Sequence, residues 1–280
     1  MMSMEESPDP PFNETYKSLF NNILTGTAGP KSAYDLFEVE ECELPLIDLN
    51  QLNMGGLERE QCKKEIAKAS REWGFFQVLN HGISRDILEK MRLEQLKIFK
   101  KPFHEKMNDN NSNFLAGSYR WGTPSATCLK QLSWSEAFHV PLINAISGLG
   151  GRNSLSSAME KCATTMFDLA HKLVEILAEK MGHKSTSFRE TCLTSTCYLR
   201  MNRYPPCPIS PQVFGLMPHT DSDFITVLHQ DQIGGLQLVK DGKWIAVKPN
   251  PDALIINIGD LFQVNLIPKI FRILKLKNVV

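Results

Sequence analysis

The sequence predicts an α+β protein in which helices flank a sheet. Between about residues 44 and 100, runs with strand character alternate with helical patterns in the order strand, helix, strand, helix. The longest helical pattern follows at residues 153–181. Beyond residue 196 the chain consists of short runs with strand character, and such a spacing is typical of a β-sandwich or jelly roll.

The elements of the first part of the chain follow from their patterns. Residues 1–40 are rich in Asn, Ser, Gly and Thr, and we expect a mobile leader with at most one short helix. Residues 41–190 are expected to form a region of helices and strands, preceded by a solvated acidic stretch at 38–43. The predicted elements are a strand at 44–49, a helix at 57–73, a strand at 75–79, a helix from the N-cap Ser84 to about Lys100, and the helix at 153–181.

Residues 117–141 are predicted to be irregular, and they are rich in aromatic side chains, among them Trp121 and Trp134. Two interpretations are open. The aromatics can pack in the core, since they bury large areas wherever they lie. They can also line a pocket for a bulky apolar substrate. Trp121 and Trp134 are therefore candidate substrate contacts.

The second part of the chain supplies the strands of the predicted core. Strand patterns cover residues 196–203, 224–229, 236–240, 244–248 and 253–258. Asp241-Gly242 lies between two of these runs and favours a β-hairpin. The last run is almost entirely apolar, as expected for a strand that is covered on both faces.

Composition and charge exclude several classes of protein. The chain has 280 residues, of which 42% are hydrophobic, and its 31 basic residues balance 31 acidic ones. Such a chain can bury a sizeable core, but it lacks the basic footprint of a nucleic-acid-binding protein. No run approaches the roughly 18 apolar residues of a membrane span. The acidic, Pro-containing start does not resemble a secretory signal.

Cysteine usage indicates a compartment. Seven cysteines, an odd number with no Cys-x-x-Cys pair, suit free thiols in a reducing environment. We therefore expect a cytoplasmic protein that also diffuses into the nucleus, with neither a nucleic-acid partner nor a membrane span.

The tripeptide His219-Thr220-Asp221 is the strongest candidate for chemistry. Side chains at i and i+2 of an extended strand point to the same side, so an imidazole and a carboxylate would meet there. This pair is two-thirds of the 2-His-1-carboxylate facial triad of non-haem Fe(II) oxygenases. Because His-x-Asp alone is more often a solvated loop pair, the neighbouring sequence has to decide between the two interpretations.

The neighbouring sequence contains an ordered series of motifs: Leu199-Arg200-Met201-Asn202-Arg203-Tyr204-Pro205-Pro206-Cys207-Pro208 upstream, then Gly234-Gly235-Leu236-Gln237-Leu238 and Asn257-Ile258-Gly259-Asp260 downstream. In these motifs the chain resembles the plant 2-oxoglutarate- and Fe(II)-dependent dioxygenase family, over roughly residues 44–263. The resemblance implies a double-stranded β-helix (jelly-roll) core with flanking helices, of which residues 191–263 would form part. It also implies His219 and Asp221 as ligands of Fe(II), and Tyr204 and, more weakly, Asn202 as contacts of 2-oxoglutarate.

Within the family, the stretches 118–127 and 134–141 resemble the gibberellin 2-oxidases that act on 20-carbon gibberellins. By that resemblance the enzyme would use Fe(II), 2-oxoglutarate and O2 to hydroxylate carbon 2 of a gibberellin, which inactivates the hormone. A flavonoid or another plant small molecule is the alternative substrate class. The resemblance also makes His81, in Asn80-His81-Gly82, a structural turn residue rather than a metal ligand.

The family pattern is incomplete in this chain. The family pattern leads us to expect a second ligand histidine and an Arg-x-Ser motif that binds 2-oxoglutarate after Gln263. Residues 264–280 contain neither. His229, the one histidine after Asp221, would lie about 26 Å along a strand from it, too far away to share a metal ion. We therefore expect a non-family tail at 264–280 and a core that is incomplete, with unpaired strand edges, at the C-terminus. Little or no activity would follow, and the alternative is a non-catalytic product that binds ligand as a decoy.

Overall fold

The computed structural model describes residues 7–24, 39–108, 117–147, 153–182, 194–208, 213–262 and 276–279, with the backbone alone at 21–24 and 276–279. Its helices are α1 (Phe12–Thr15), α2 (Lys17–Leu24), α3 (Gly56–Glu72), α4 (Arg85–Phe99), α5 (Phe103–Met107), α6 (Leu142–Ile146) and α7 (Ser154–Lys180). Its strands are β1 (Glu40–Cys42), β2 (Leu46–Asp48), β3 (Phe75–Leu79), β4 (Tyr119–Trp121), β5 (Glu136–Pro141), β6 (Tyr198–Arg203), β7 (Phe214–His219), β8 (Ile225–Leu228), β9 (Leu236–Lys240), β10 (Lys243–Val247), β11 (Leu254–Ile258) and β12 (Leu276–Val279).

These strands form three sheets, and the first two pack face to face. The strand orders are β1-β10-β9-β12-β7, β2-β3-β11-β8 and β4-β5-β6. Side chains of β9 in the first sheet meet Phe75 and Ile255 of the second in a shared apolar cluster. The opposite face of the second sheet, including Phe76 and Ile256, packs against α3 and α7. Strand β11 is therefore buried on both faces, as its apolar sequence predicts.

Helix α4 begins at its predicted N-cap, Ser84, and α7 also begins at a side-chain cap, Asn153. The Ser84 side chain accepts a hydrogen bond from the Ile87 backbone at the start of α4 (3.3 Å). Asn153 accepts one from Ser156 at the start of α7 (2.8 Å). Each cap satisfies a backbone N–H that has no partner within its helix. No helix within the described ranges is long and apolar enough to cross a membrane.

The expected mobile leader is wrong for residues 7–24. Helices α1 and α2 bury Phe12, Tyr16 and Phe20, which form an apolar cluster with Trp134. Side chains spaced four residues apart lie on one helical face, so this spacing gives the segment an apolar stripe. The expected leader also includes residues 1–6 and 25–38. These residues lie outside the described ranges.

Two further stretches contain strands where none was predicted. Hydrogen bonding between the backbones of two strands does not require an apolar side-chain pattern. The acidic stretch at 38–43 contains strand β1, which pairs in parallel with β10 at the edge of the first sheet. The stretch at 117–141 is not irregular throughout, since β4 and β5 pair antiparallel within it.

The tail also departs from the expected open edges. Strand β12 lies between β7 and β9 and is antiparallel to both, so their facing edges are paired along these residues. Residues 263–275, with Lys269, Arg272 and Lys275 of the predicted tail, lie outside the described ranges.

Candidate functional site

His219 is the last residue of β7, and its ring is oriented by its own strand. The Nδ1 atom lies 2.8 Å from the carbonyl oxygen of Met217. A carbonyl can only accept, so Nδ1 carries the proton and donates, which leaves the Nε2 lone pair of the neutral ring available to a metal ion. The site therefore presents a preoriented imidazole ligand.

Asp221 lies in the loop between β7 and β8, and one of its oxygens is already engaged. Oδ2 accepts hydrogen bonds of 2.6 Å from the Thr226 hydroxyl of β8 and from the Asn257 amide of β11. Oδ1 lies 3.4 Å from His219 Nε2. Two ligands at right angles, each about 2.1 Å from one ion, are about 3 Å apart. This geometry fits two neighbouring corners of a metal site, with Asp221 binding through one oxygen.

The electrostatics of the pair match this arrangement. The contact with Asp221 raises the pKa of His219 above its usual value, although burial opposes the charged ring. Burial opposes the ionised form of Asp221 as well, but the hydrogen bonds from His219, Thr226 and Asn257 together lower the pKa of its carboxyl. The aspartate is thus held as a carboxylate, the form that binds a metal.

The loop that carries Asp221 is fixed by the end of β11. The backbone N–H of Asp260 donates to the Asp221 carbonyl (2.8 Å), and the Asp260 side chain accepts from the Thr220 hydroxyl (2.6 Å). Position 259 leaves no room for a side chain, because a Cβ there would lie 1.9 Å from the Asp223 carbonyl oxygen. Glycine is therefore required at this position. In the sequence, Asn257-Ile258-Gly259-Asp260 is recognisable only as a family motif, and no local pattern indicates these contacts.

The predicted 2-oxoglutarate residues lie on or directly after β6. Asn202 accepts a 2.8 Å hydrogen bond at Oδ1 from Arg200 Nε, and its backbone carbonyl accepts from the Gln95 amide of α4 (3.0 Å). Tyr204 follows the strand and is half-buried. Their contact with 2-oxoglutarate stays a prediction.

The candidate substrate residue Trp134 belongs to the core, so the pocket interpretation is wrong for it. Its ring stacks on Phe12 with centroids 4.4 Å apart, its Nε1 donates to the Pro206 carbonyl (3.2 Å), and it is 2% exposed. Trp121 is half-buried and meets Phe12 and Phe103 edge-on. The sequence gives no signal that the N-terminal helices would cover these rings.

The other histidines weighed from the sequence do not join His219 and Asp221. Strand β8 leads away from Asp221, and His229 follows its far end, where Leu228 pairs with Ile255. There it lines an open groove together with His81, whose Nδ1 accepts from the Ile83 backbone (3.2 Å). Among the residues with described positions, no group of three or more His, Cys, Asp or Glu side chains could hold a metal ion. The described residues thus offer two candidate ligands, His219 and Asp221, and their binding of a metal ion stays a prediction.

Comparison with known proteins agrees with this geometry. Residues 195–267 match the family described as the 2OG-Fe(II) oxygenase superfamily, and residues 44–170 match the N-terminal region of non-haem dioxygenases in morphine synthesis. The chain is 60% identical to gibberellin 2-beta-dioxygenase 8 of Arabidopsis thaliana over 261 residues, which cover 91% of this chain and 76% of that protein. It is 46% identical to gibberellin 2-beta-dioxygenase 6 of Oryza sativa subsp. japonica, over 91% of this chain and 75% of that one.

A solved structure has the same fold. The structure of JOX2 in complex with 2OG, Fe and JA superposes with a TM-score of 0.73 at 26% identity, covering 98% of this chain and 80% of that one. The predicted jelly-roll core with flanking helices is thereby confirmed. The chain belongs to the 2OG-Fe(II) oxygenase superfamily, whose oxidoreductases use Fe(II) and 2-oxoglutarate.

Proposed function

We propose that this protein is a gibberellin 2-beta-dioxygenase, which hydroxylates carbon 2 of a gibberellin and so inactivates the hormone. The observation that carries the proposal is the His219–Asp221 pair, with Nε2 and Oδ1 3.4 Å apart and every other polar atom of the two side chains hydrogen-bonded. The identity to two gibberellin 2-beta-dioxygenases supports the choice of substrate.

In this proposal the residues of the chain bind and orient the reactants. His219 and Asp221 hold Fe(II), while Tyr204 and Asn202 contact 2-oxoglutarate. Iron and 2-oxoglutarate supply the dioxygen chemistry when bound. The protein's task is to place the target C–H bond beside the metal and to exclude water.

We also propose that the site formed by the described residues alone supports only weak turnover. The described site offers two metal ligands, and loss of even an outer-shell partner costs about 10- to 100-fold in metal affinity or activity. This observation favours a second candidate function, in which the protein binds a gibberellin without converting it and competes with an active enzyme.

The decisive experiment measures succinate formation from 2-oxoglutarate after anaerobic reconstitution with Fe(II), with and without a 20-carbon gibberellin. Asp221→Asn should abolish turnover, and Asp231→Asn, on an exposed turn, is the matched control. Gibberellin-stimulated succinate that disappears only in Asp221→Asn supports the enzyme. Gibberellin binding by folded protein without succinate supports the decoy. Stimulation by a flavonoid instead of a gibberellin contradicts the proposed substrate.

We place the protein in the cytoplasm and the nucleus, without a nucleic-acid partner. Free thiols support a reducing compartment, since none of the cysteines with described positions forms a disulfide. The balance of 31 basic and 31 acidic residues supports the absence of a nucleic-acid partner.

A further inference from the structure

The three-stranded sheet β4-β5-β6 has two faces with different chemistry. Across the strands, Arg120 pairs with Ala137 and Ala137 with Asn202, while His139 pairs with Arg200. Alternate residues of a strand share a face, so these side chains lie on one face of the sheet, here called the polar face. The opposite face is buried against the core and carries Tyr119, Glu136, Phe138, Val140 and Met201.

The polar face carries two exposed arginines that form no ion pair with a described residue. Arg120 and Arg200 are both exposed, and no described carboxylate lies within ion-pair distance of either guanidinium. Arg200 uses only Nε in a protein contact, donating to Asn202. By contrast, Arg203 on the buried face pairs with both Asp9 (2.7 Å) and Glu136 (2.5 Å). The unpaired arginines thus keep most of their donors available on one face.

The positive charges of Arg120 and Arg200 both act on the part of the polar face around His139. Burial lowers the pKa of His139, which lies between the two arginines on β5, and the charges of Arg120 and Arg200 lower it further. Strands are about 4.8 Å apart and residues about 3.4 Å along them, so Arg120 and Arg200 face each other diagonally across Ala137 and His139. Two guanidiniums held in this way favour an anion between them.

This polar face adjoins the metal-binding loop. Tyr198, which shares the face with Arg200, donates a 2.8 Å hydrogen bond to Asp223, two residues after Asp221. An anion held by the arginines would therefore lie beside the His219–Asp221 pair.

We propose that Arg120 and Arg200 form a carboxylate-binding site for the substrate. The inference rests on the proposed function and extends it: the substrate would be an organic acid, with its carboxylate on the polar face and its apolar body directed toward the metal. Gibberellins are carboxylic acids. The dianion 2-oxoglutarate offers the same chemistry, and the test therefore treats the two ligands separately.

The test is a binding measurement, which does not depend on turnover. Isothermal titration calorimetry compares a gibberellin free acid, its methyl ester and 2-oxoglutarate on the wild type, Arg120→Gln and Arg200→Gln. Charge-assisted hydrogen bonds lead us to expect that each variant binds the acid on the order of 10-fold more weakly. Binding of the ester should be weak in all three proteins. The affinity for 2-oxoglutarate should not change in Arg120→Gln, whereas Arg200 also donates to Asn202, the proposed 2-oxoglutarate contact.

Controls make the outcome specific. Arg85→Gln removes an exposed arginine that pairs with Asp252, so it should leave acid binding unchanged. Circular dichroism verifies that each variant is folded. The proposal is overturned if the wild type binds acid and ester equally or binds neither, if both variants bind the acid like the wild type, or if they lose 2-oxoglutarate instead. Acid binding that depends on the arginines without any succinate formation would support this site while contradicting the catalytic proposal.

Discussion

The amide of Asn257 donates a 2.6 Å hydrogen bond to Asp221 Oδ2 from a strand 36 residues further along the chain. Together with Thr226, it occupies one carboxylate oxygen and leaves the other facing His219 Nε2 at 3.4 Å. The Asp221 oxygen that would bind the proposed metal ion is thus selected by two side chains that would not bind it themselves.

The first prediction concerns these two hydrogen bonds. Asn257→Ala and Thr226→Val should each weaken metal binding about 10- to 100-fold, because outer partners orient the ligand. The measurement is a titration with Co(II), followed by its visible absorption. Thr165→Val is the matched control, since the Thr165 hydroxyl bonds only to the backbone of its own helix. Unchanged Co(II) affinity in both site variants would refute the orienting role.

A second prediction concerns the close approach at Gly259. In Gly259→Ala the new Cβ would lie 1.9 Å from the Asp223 carbonyl oxygen, so the loop that carries Asp221 must move. We expect a loss of about 1–3 kcal/mol in the free energy of unfolding, as for other overpacked sites, and loss of Co(II) binding. Urea unfolding and the Co(II) titration measure the two effects. Gly55→Ala is the control, because a Cβ there meets nothing within 4 Å. Equal behaviour of the two variants would mean that the loop adapts at no cost.

The third prediction concerns a buried ion pair. Lys106 contacts Glu136 with both side chains fully buried, and Glu136 also accepts from Tyr119 and Arg203. Lys106→Met should lower the free energy of unfolding by about 3–5 kcal/mol, because it leaves a buried carboxylate without one of its cations. Lys243→Met, which removes an exposed pair with Glu40, should cost at most about 1 kcal/mol. Similar midpoints for both variants in urea would contradict this ranking.

The fourth prediction concerns the N-terminal helices. Phe12→Ala should lower the free energy of unfolding by about 3–5 kcal/mol, because Phe12 is 2% exposed and stacks on Trp134. Opening this contact should also shift the tryptophan emission to longer wavelength. Glu14→Ala changes an exposed residue of the same helix and should affect neither quantity. An unshifted spectrum in a stable Phe12→Ala protein would show that the helices do not cover Trp134.

The parts of the fold that could be predicted from the sequence are those specified by local patterns. Ser84 marks the start of α4 because a capping side chain bonds within the first turn of its own helix. The apolar run of β11 predicts a strand covered on both faces, and the structure places it between the shared sandwich interior and the helices. Asp241-Gly242 joins β9 and β10 in the predicted hairpin, with Asp241 and Gly242 both at positive φ.

The sequence by itself determined the residue types of the site: an imidazole and a carboxylate two positions apart, within a family pattern. Only the tertiary structure decided how they are held. Asn257 lies 36 residues after Asp221, and its contact with that carboxylate depends on the pairing of β8 with β11, as does the contact of Asp260 with the Asp221 backbone. The burial of Trp134 under Phe12 was decided in the same way. Such contacts join residues that are far apart in the chain, so no local periodicity records them, whereas caps, turns and apolar stripes are set by neighbours along the backbone.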